Sequence, residues 1–357
     1  MDSPPTPEPE RSSAIGFGRP VNRVDLLRSL VGLAVVVICF AWLLPAFAPY
    51  GAVVDQLRPA AGNLGLGGSL LLTLAVLANL TAPSLSQLAA LPGLTIGRAV
   101  WADWSTTTVT NLIPGGSALS IGLIWAMYRS FGLARAAIAR AIVVTGVGDI
   151  LVKLGTPLPA LLWLWTQRPV SGALAQAAIV ATVLFAVAVT LMFVIVSGPA
   201  TAARLGRFLD RLPIAGRGWP HRLEKLRVDT VSLLGTRGWA LAAATVAGHA
   251  NLYLLLVLCL RAAGIERATL GWAPILAAFA FGRLATALPI TPGGLGIMEV
   301  GLTGALSAVG SAPSAALVAA VLLFRAVSFA LPLPLGTVGL MMWNVRASTS
   351  RRRPDPA

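Results

Sequence analysis

The sequence predicts an all-α fold, a polytopic transmembrane helical bundle with two inverted repeats, each containing a re-entrant helical hairpin broken at Pro-Gly-Gly. Three observations predict it. The first is composition: 56% of the 357 residues are hydrophobic, only 11% are charged, and mean hydropathy is +0.80, whereas a soluble domain carries about 25% charged residues. The second is a series of apolar runs that reach the roughly 20 residues needed to cross a bilayer. The third is a repeated interruption: Pro114-Gly115-Gly116 and Pro292-Gly293-Gly294 lie 178 residues apart, and Gly132 keeps the same offset from Gly310. Proline removes a backbone donor and clashes with the preceding turn, and paired glycines loosen the chain, so each run should split into two arms joined at an unwound tip.

Residues 1–25 are rich in Pro, Ser and Glu without apolar periodicity, which reads as a disordered cytoplasmic tail. A single transmembrane domain, 26–345, follows. Its first span covers about 26–48; the Ala46-Phe47-Ala48 triplet resembles a cleavage site, but the long preceding region and Pro49 argue for a retained span. Repeat one occupies about 64–156: a span at 64–91, an arm at 96–113, the tip, a return arm to Phe131, and a span at 134–155. Pro157 and Pro159 should close it, with Trp163 and Trp165 at an interface. A fourth span, about 172–196, leads into a basic cytoplasmic linker at 199–237, where a surface-lying amphipathic helix is expected. Repeat two occupies about 238–343: a span at 239–260, arms at 270–288 and 296–309, and a last span at 315–343. The basic tail 346–357 ends the chain.

Topology follows if each broken segment returns to the side it came from. A single crossing then separates the repeats and inverts the second relative to the first. With the N-terminus inside, the 27 Lys and Arg are cytoplasmic except Arg58, Arg168, Arg261 and Arg267 outside, and Lys153, Arg283 and Arg325 within the membrane, in keeping with the positive-inside rule. Pairs of short full spans would keep the same sides, so charge alone does not separate the two hairpin readings. Both termini and the linker are expected in the cytoplasm of a plasma membrane.

The net charge of +14 therefore reads as topology and attraction to anionic lipid rather than nucleic-acid binding, since the basic residues sit in short segments between apolar runs. Cys39 and Cys259 both lie in apolar runs, which excludes a disulfide framework and a cysteine metal site. The chain has no Gly-rich phosphate loop, no paired histidines and no Asp-rich Mg²⁺ motif, so no catalytic residue, metal ligand or cofactor is assigned.

The informative polar residues are intramembrane. Arg283, Glu299 and Arg325 share one depth, about 16–18 Å below the outer surface at ~1.5 Å per helical residue. Charges there face a cavity or one another. Arg283 and Glu299, on opposite arms of one hairpin, are placed to pair, leaving Arg325 to meet an anion; the alternative is that the pair locks the hairpin and Arg325 caps exposed carbonyls. The candidate substrate-binding set is Arg283, Glu299 and Arg325 with the tips, Asn111, Pro114, Gly115 and Gly116 on one and Pro292, Gly293 and Gly294 on the other. Asp149 and Lys153, one helical turn apart, suit an intrahelical ion pair. His249 reads as a hydrogen-bonded packing residue, with a proton relay as the other reading. Asp103 either lines a polar cavity or caps its arm.

The pattern Pro292, Gly293, Gly294, Gly296, Glu299, then Gly310 and Arg325, resembles the lysylphosphatidylglycerol synthase transmembrane family of bacterial flippase-like membrane proteins. NLIPGGSALSIGLIWAMYRSFGL resembles the family's earlier Asn-x-x-Pro-Gly motif, and the likeness runs from about Leu30 to Trp343. Two departures stand out. Many members continue the earlier motif with an acidic residue and an arginine, absent from Ser117 to Gly122, and no aminoacyltransferase domain follows Trp343. The resemblance implies movement of a lipid or polyprenyl-phosphate-linked substrate between leaflets, with anionic lipid as partner, and does not imply lysyl transfer. A membrane enzyme acting on a lipid headgroup, with Glu299 as acid or base, and an accessory subunit of a cell-envelope assembly are the alternatives.

Overall fold

In the computed structural model the described residues are 49–113, 116–166, 176, 179–180, 182–187, 189–190, 198–211, 218–285 and 291–350. The first predicted span, Pro114 and Gly115, most of the fourth span and the tail from 351 lie outside them. All regular structure among the described residues is helical. The labelled elements are α1 (Tyr50–Leu57), α2 (Ala60–Ala90), α3 (Ile96–Leu112), α4 (Gly116–Ser130), α5 (Arg135–Gly155), α6 (Pro157–Trp165), α7 (Pro199–Asp210), α8 (Trp219–Ala262), α9 (Trp272–Ala285), a 3₁₀ turn (Pro292–Gly294), α10 (Ile297–Val309), α11 (Ser314–Arg325), a π turn (Ala326–Ala330) and α12 (Pro332–Ser350). Ala60–Ala90, Trp219–Ala262 and Ser314–Trp343 are long and apolar enough to cross a membrane.

The 178-residue offset of the two Pro-Gly-Gly segments recurs in the helix boundaries. Shifted by it, Ile96, Ser130 and Arg135 fall within two residues of Trp272, Val309 and Ser314, where the second set of helices begins and ends. Packing is reciprocal as well. Helix α2 lies along α8, its counterpart, while α6 packs on α9 and α12 packs on α3, so the end of each unit covers the first arm of the other. The arms are short: α4 has 15 residues and α10 has 13, about 20–23 Å at 1.5 Å per residue, against a hydrocarbon core of about 30 Å.

Burial is uneven. The interior is built on the second unit, where Leu255, Leu260, Ile275, Phe279, Leu302, Leu306, Val321 and Phe324 pack together. A smaller cluster around Leu91, Met127, Tyr128, Ile138 and Leu241 seats the first hairpin. Helix α2 turns its apolar side outward, with Leu66, Leu70, Leu74 and Leu77 exposed, as a lipid-facing span requires. Lipid is as apolar as leucine, so helix association rests on close packing and small residues. Gly336 supplies it on α12: a Cβ there would collide with the Trp104 carbonyl and the Thr108 hydroxyl of α3. Thr108 also donates to the Leu333 carbonyl at 3.2 Å.

The third span's helix ends at Gly155, as expected, and Pro157 opens the next helix, α6, because a first-turn proline lacks only an N–H that has no helical partner anyway. Two other boundaries differ from expectation. The stretch from Trp219, expected as linker, is the N-terminal part of α8, a continuous 44-residue helix. Pro220 sits in its first turn, and Asp210 accepts the Trp219 N–H at 3.1 Å, which fixes α7 against it. The last span is interrupted by the π turn after Arg325, where the Leu331 N–H reaches back to the Ala326 carbonyl at 2.9 Å.

Candidate functional site

The second tip is built on glycine. Gly293, Gly294 and Gly296 have φ of 55°, 69° and 83°, left-handed values that disfavour any side chain. A Cβ on Gly293 would enter the Phe329 ring and stand 2.8 Å from Asn111 Oδ1. Asn111, expected to serve the first tip, therefore reaches the second, and α3 packs on the Pro292–Gly294 turn. Gly116 is closed in by the Val109 carbonyl and Thr110 of its own hairpin, so a larger residue would force the first pair of arms apart.

A polar latch holds the second tip. Glu299 is 1% exposed. Its Oε1 accepts from Arg325 Nε at 2.6 Å and its Oε2 from the Gly296 N–H at 2.6 Å, the second bond being the reach-back of a third-position glutamate to the helix N-cap. Arg325 Nη2 donates to the Gly293 carbonyl at 3.1 Å, and the guanidinium lies 4.1 Å from the Phe329 ring centroid. The π turn presents Phe329 one turn beyond Arg325, so the cation is stacked as well as paired. The expected Arg283–Glu299 pairing is thus replaced by Arg325–Glu299. Helix α11 packs beside α10 and brings Arg325 onto the first turn of α10, whereas Arg283 faces a cavity shared with α5 and α8.

That cavity, about 320 Å³, lies between α2, α5, α8 and α9 and is lined by Asn79, Ser86, Gln87, Thr145, Asp149, Thr245, His249 and Arg283 among others. Pro83, inside α2 and also on its wall, cannot donate the helical hydrogen bond to the Asn79 carbonyl. Asp149 receives Lys153 Nζ on Oδ2 at 2.5 Å and faces His249 Nε2 from Oδ1 at 3.0 Å. The i,i+4 pair expected on the third span is present, and His249 is hydrogen-bonded as expected. Ser86 and Thr245 bond across the cavity wall at 3.2 Å. Arg283 lies within Coulombic reach of Asp149, Lys153 and His249 on one side and of Arg325 on the other. With His249 neutral, Arg283, Lys153 and Asp149 leave one net positive charge, suited to an anion.

The structure thus gathers Glu299, Arg325, Gly293 and Asn111 at one tip and places Arg283 beside them on the cavity wall. Pro114 and Gly115 lie outside the described residues. Asp103 is half-buried on α3 within Coulombic reach of Tyr128, away from this cavity. The sequence sets the Asp149–Lys153 pair and His249 apart as separate local features. Their union with Arg283 depends on which faces of α5, α8 and α9 meet, which a lone histidine does not signal.

Residues 26–336 match the family described as the lysylphosphatidylglycerol synthase TM region. The chain belongs to this family. Membership makes it a membrane protein of a lipid-handling family, in accord with its apolar helices. A search among curated proteins finds no match.

Proposed function

We propose that the chain is a flippase-like transporter that moves a lipid or polyprenyl-phosphate-linked substrate between leaflets of the bacterial plasma membrane, with both termini cytoplasmic. The observation that carries this reading is the cavity between helices of both units, with Arg283 on its wall and a glycine-built tip latched beside it. Arginine's fork suits phosphate, and a net positive, water-accommodating chamber at membrane depth is where a headgroup can leave water without losing its partners. Return arms of about 20–23 Å support re-entrant hairpins, and the reciprocal packing of α6 on α9 and α12 on α3 supports rocking of one unit against the other.

Glu299 as acid or base in an enzyme is the weaker reading, because both of its oxygens are engaged in the latch. Purified protein in vesicles, given fluorescent phosphatidic acid and a fluorescent polyprenyl phosphate, separates the two. Transfer of chemically unchanged lipid to the opposite leaflet is expected; a chemically altered product without transfer would overturn the transporter reading.

A further inference from the structure

His249 offers a nitrogen that phosphate binding leaves unused. Its Nε2 faces Asp149 Oδ1 at 3.0 Å while Lys153 holds the other oxygen. A carboxylate paired in this way is ionised and only accepts, so the ring supplies the hydrogen: Nε2 is protonated and Nδ1 keeps a lone pair. Nδ1 is buried with no hydrogen-bond partner among the described residues. The cavity has room for several waters, each occupying about 30 Å³, and the Asp149 side chain is 43% accessible, so the cluster is open to proton-carrying water.

Groups from each cavity helix bear on this ring. Helix α2 presents Asn79, Ser86 and Gln87, none of which titrates; α5 presents Asp149 and Lys153; α9 presents Arg283. Asp149 is occupied on both oxygens, and Lys153 and Arg283 carry protons already. The open acceptor is Nδ1. Protonation there leaves the Nε2–Asp149 bond in place, adds a donor, and raises the net charge of the cluster from one positive to two.

We propose that His249 is a proton-binding site coupled to anion binding, so that a proton on Nδ1 and the substrate's phosphate occupy the cavity together and leave together. This rests on the reading above that the cavity receives a lipid phosphate. Coupling of this kind is reciprocal: the anion favours the proton as much as the proton favours the anion. A proton gradient, acidic outside, would then drive the anionic lipid inward from the outer leaflet.

The chain has only two histidines, His221 and His249, so a His221→Asn variant labelled with ¹⁵N-histidine reports His249 alone. The probe is farnesyl phosphate, added to this protein in lipid nanodiscs at a pH where the ring is half protonated. The protonated fraction should rise on binding, and Arg283→Gln should abolish the response. His249→Gln, which keeps a donor toward Asp149 and is checked for an unchanged melting temperature, should lose the pH dependence that the ring contributes. In the unsubstituted ring that contribution weakens binding about tenfold per pH unit above its titration. If farnesyl phosphate binds without altering the ring, the coupling is overturned and the phosphate reading survives. If farnesyl phosphate binds at no pH, both are overturned.

Discussion

At the scale of single residues, Glu299 and Arg325 form a buried pair whose remaining bonds go to the backbone of an unwound tip. Removing one partner leaves the other charged and desolvated, which costs about 3–5 kcal/mol. Arg325→Gln and Glu299→Gln should therefore each lower the melting temperature sharply, and the double variant should lose less than the two singles added, since they remove the same interaction. Arg325→Lys keeps charge without the fork that serves Glu299 and Gly293 together, so its melting temperature should fall between those of wild type and Arg325→Gln. Melting with normal stability in Arg325→Gln would show that the pair contributes nothing. Arg283, Glu299 and Arg325 were legible in the sequence as unusual charges within apolar segments; their partners were not. Counting residues along a helix gives depth, whereas pairing depends on the direction each side chain takes around the helix axis, and that is set by which helices pack together.

Elements divide in the same way. The broken segments were readable because proline and paired glycine act locally, and the tip does carry three glycines at positive φ. The start of α8 was not readable: a charged, basic stretch resembles a linker, yet Pro220 in a first turn and Asp210 on the Trp219 N–H let it begin twenty residues before the apolar run at Trp239. Close approach of α12 to α3 at Gly336 was likewise invisible, because a glycine in an apolar run does not announce its neighbour. Gly336→Leu should separate these helices and lower thermal stability, with aggregation in detergent as a second readout. Gly235→Ala is the matched control: it lies within α8 with nothing within 4 Å of an added Cβ, so it should be neutral or stabilise by up to about 1 kcal/mol. Equal loss in both variants would show that helix contact is not what Gly336 provides.

For the whole molecule, all-α architecture followed from composition and run length, and the repeat followed from one offset, which the helix boundaries reproduce. Orientation rests on the basic residues. An engineered cysteine at Arg211 should be labelled by an impermeant reagent from the cytoplasmic side only; labelling from outside would reverse the topology. The cavity emerges only at this scale, since its lining comes from four helices of both units. Its role is the central claim, and leaflet transfer of a fluorescent polyprenyl phosphate by wild type and Arg283→Gln, reconstituted at equal protein and compared at matched folded fraction, tests it most directly. The account predicts rapid transfer by wild type and at least a tenfold loss in Arg283→Gln, about 1.4 kcal/mol of lost phosphate recognition. Transfer at the wild-type rate by a folded Arg283→Gln protein would contradict it.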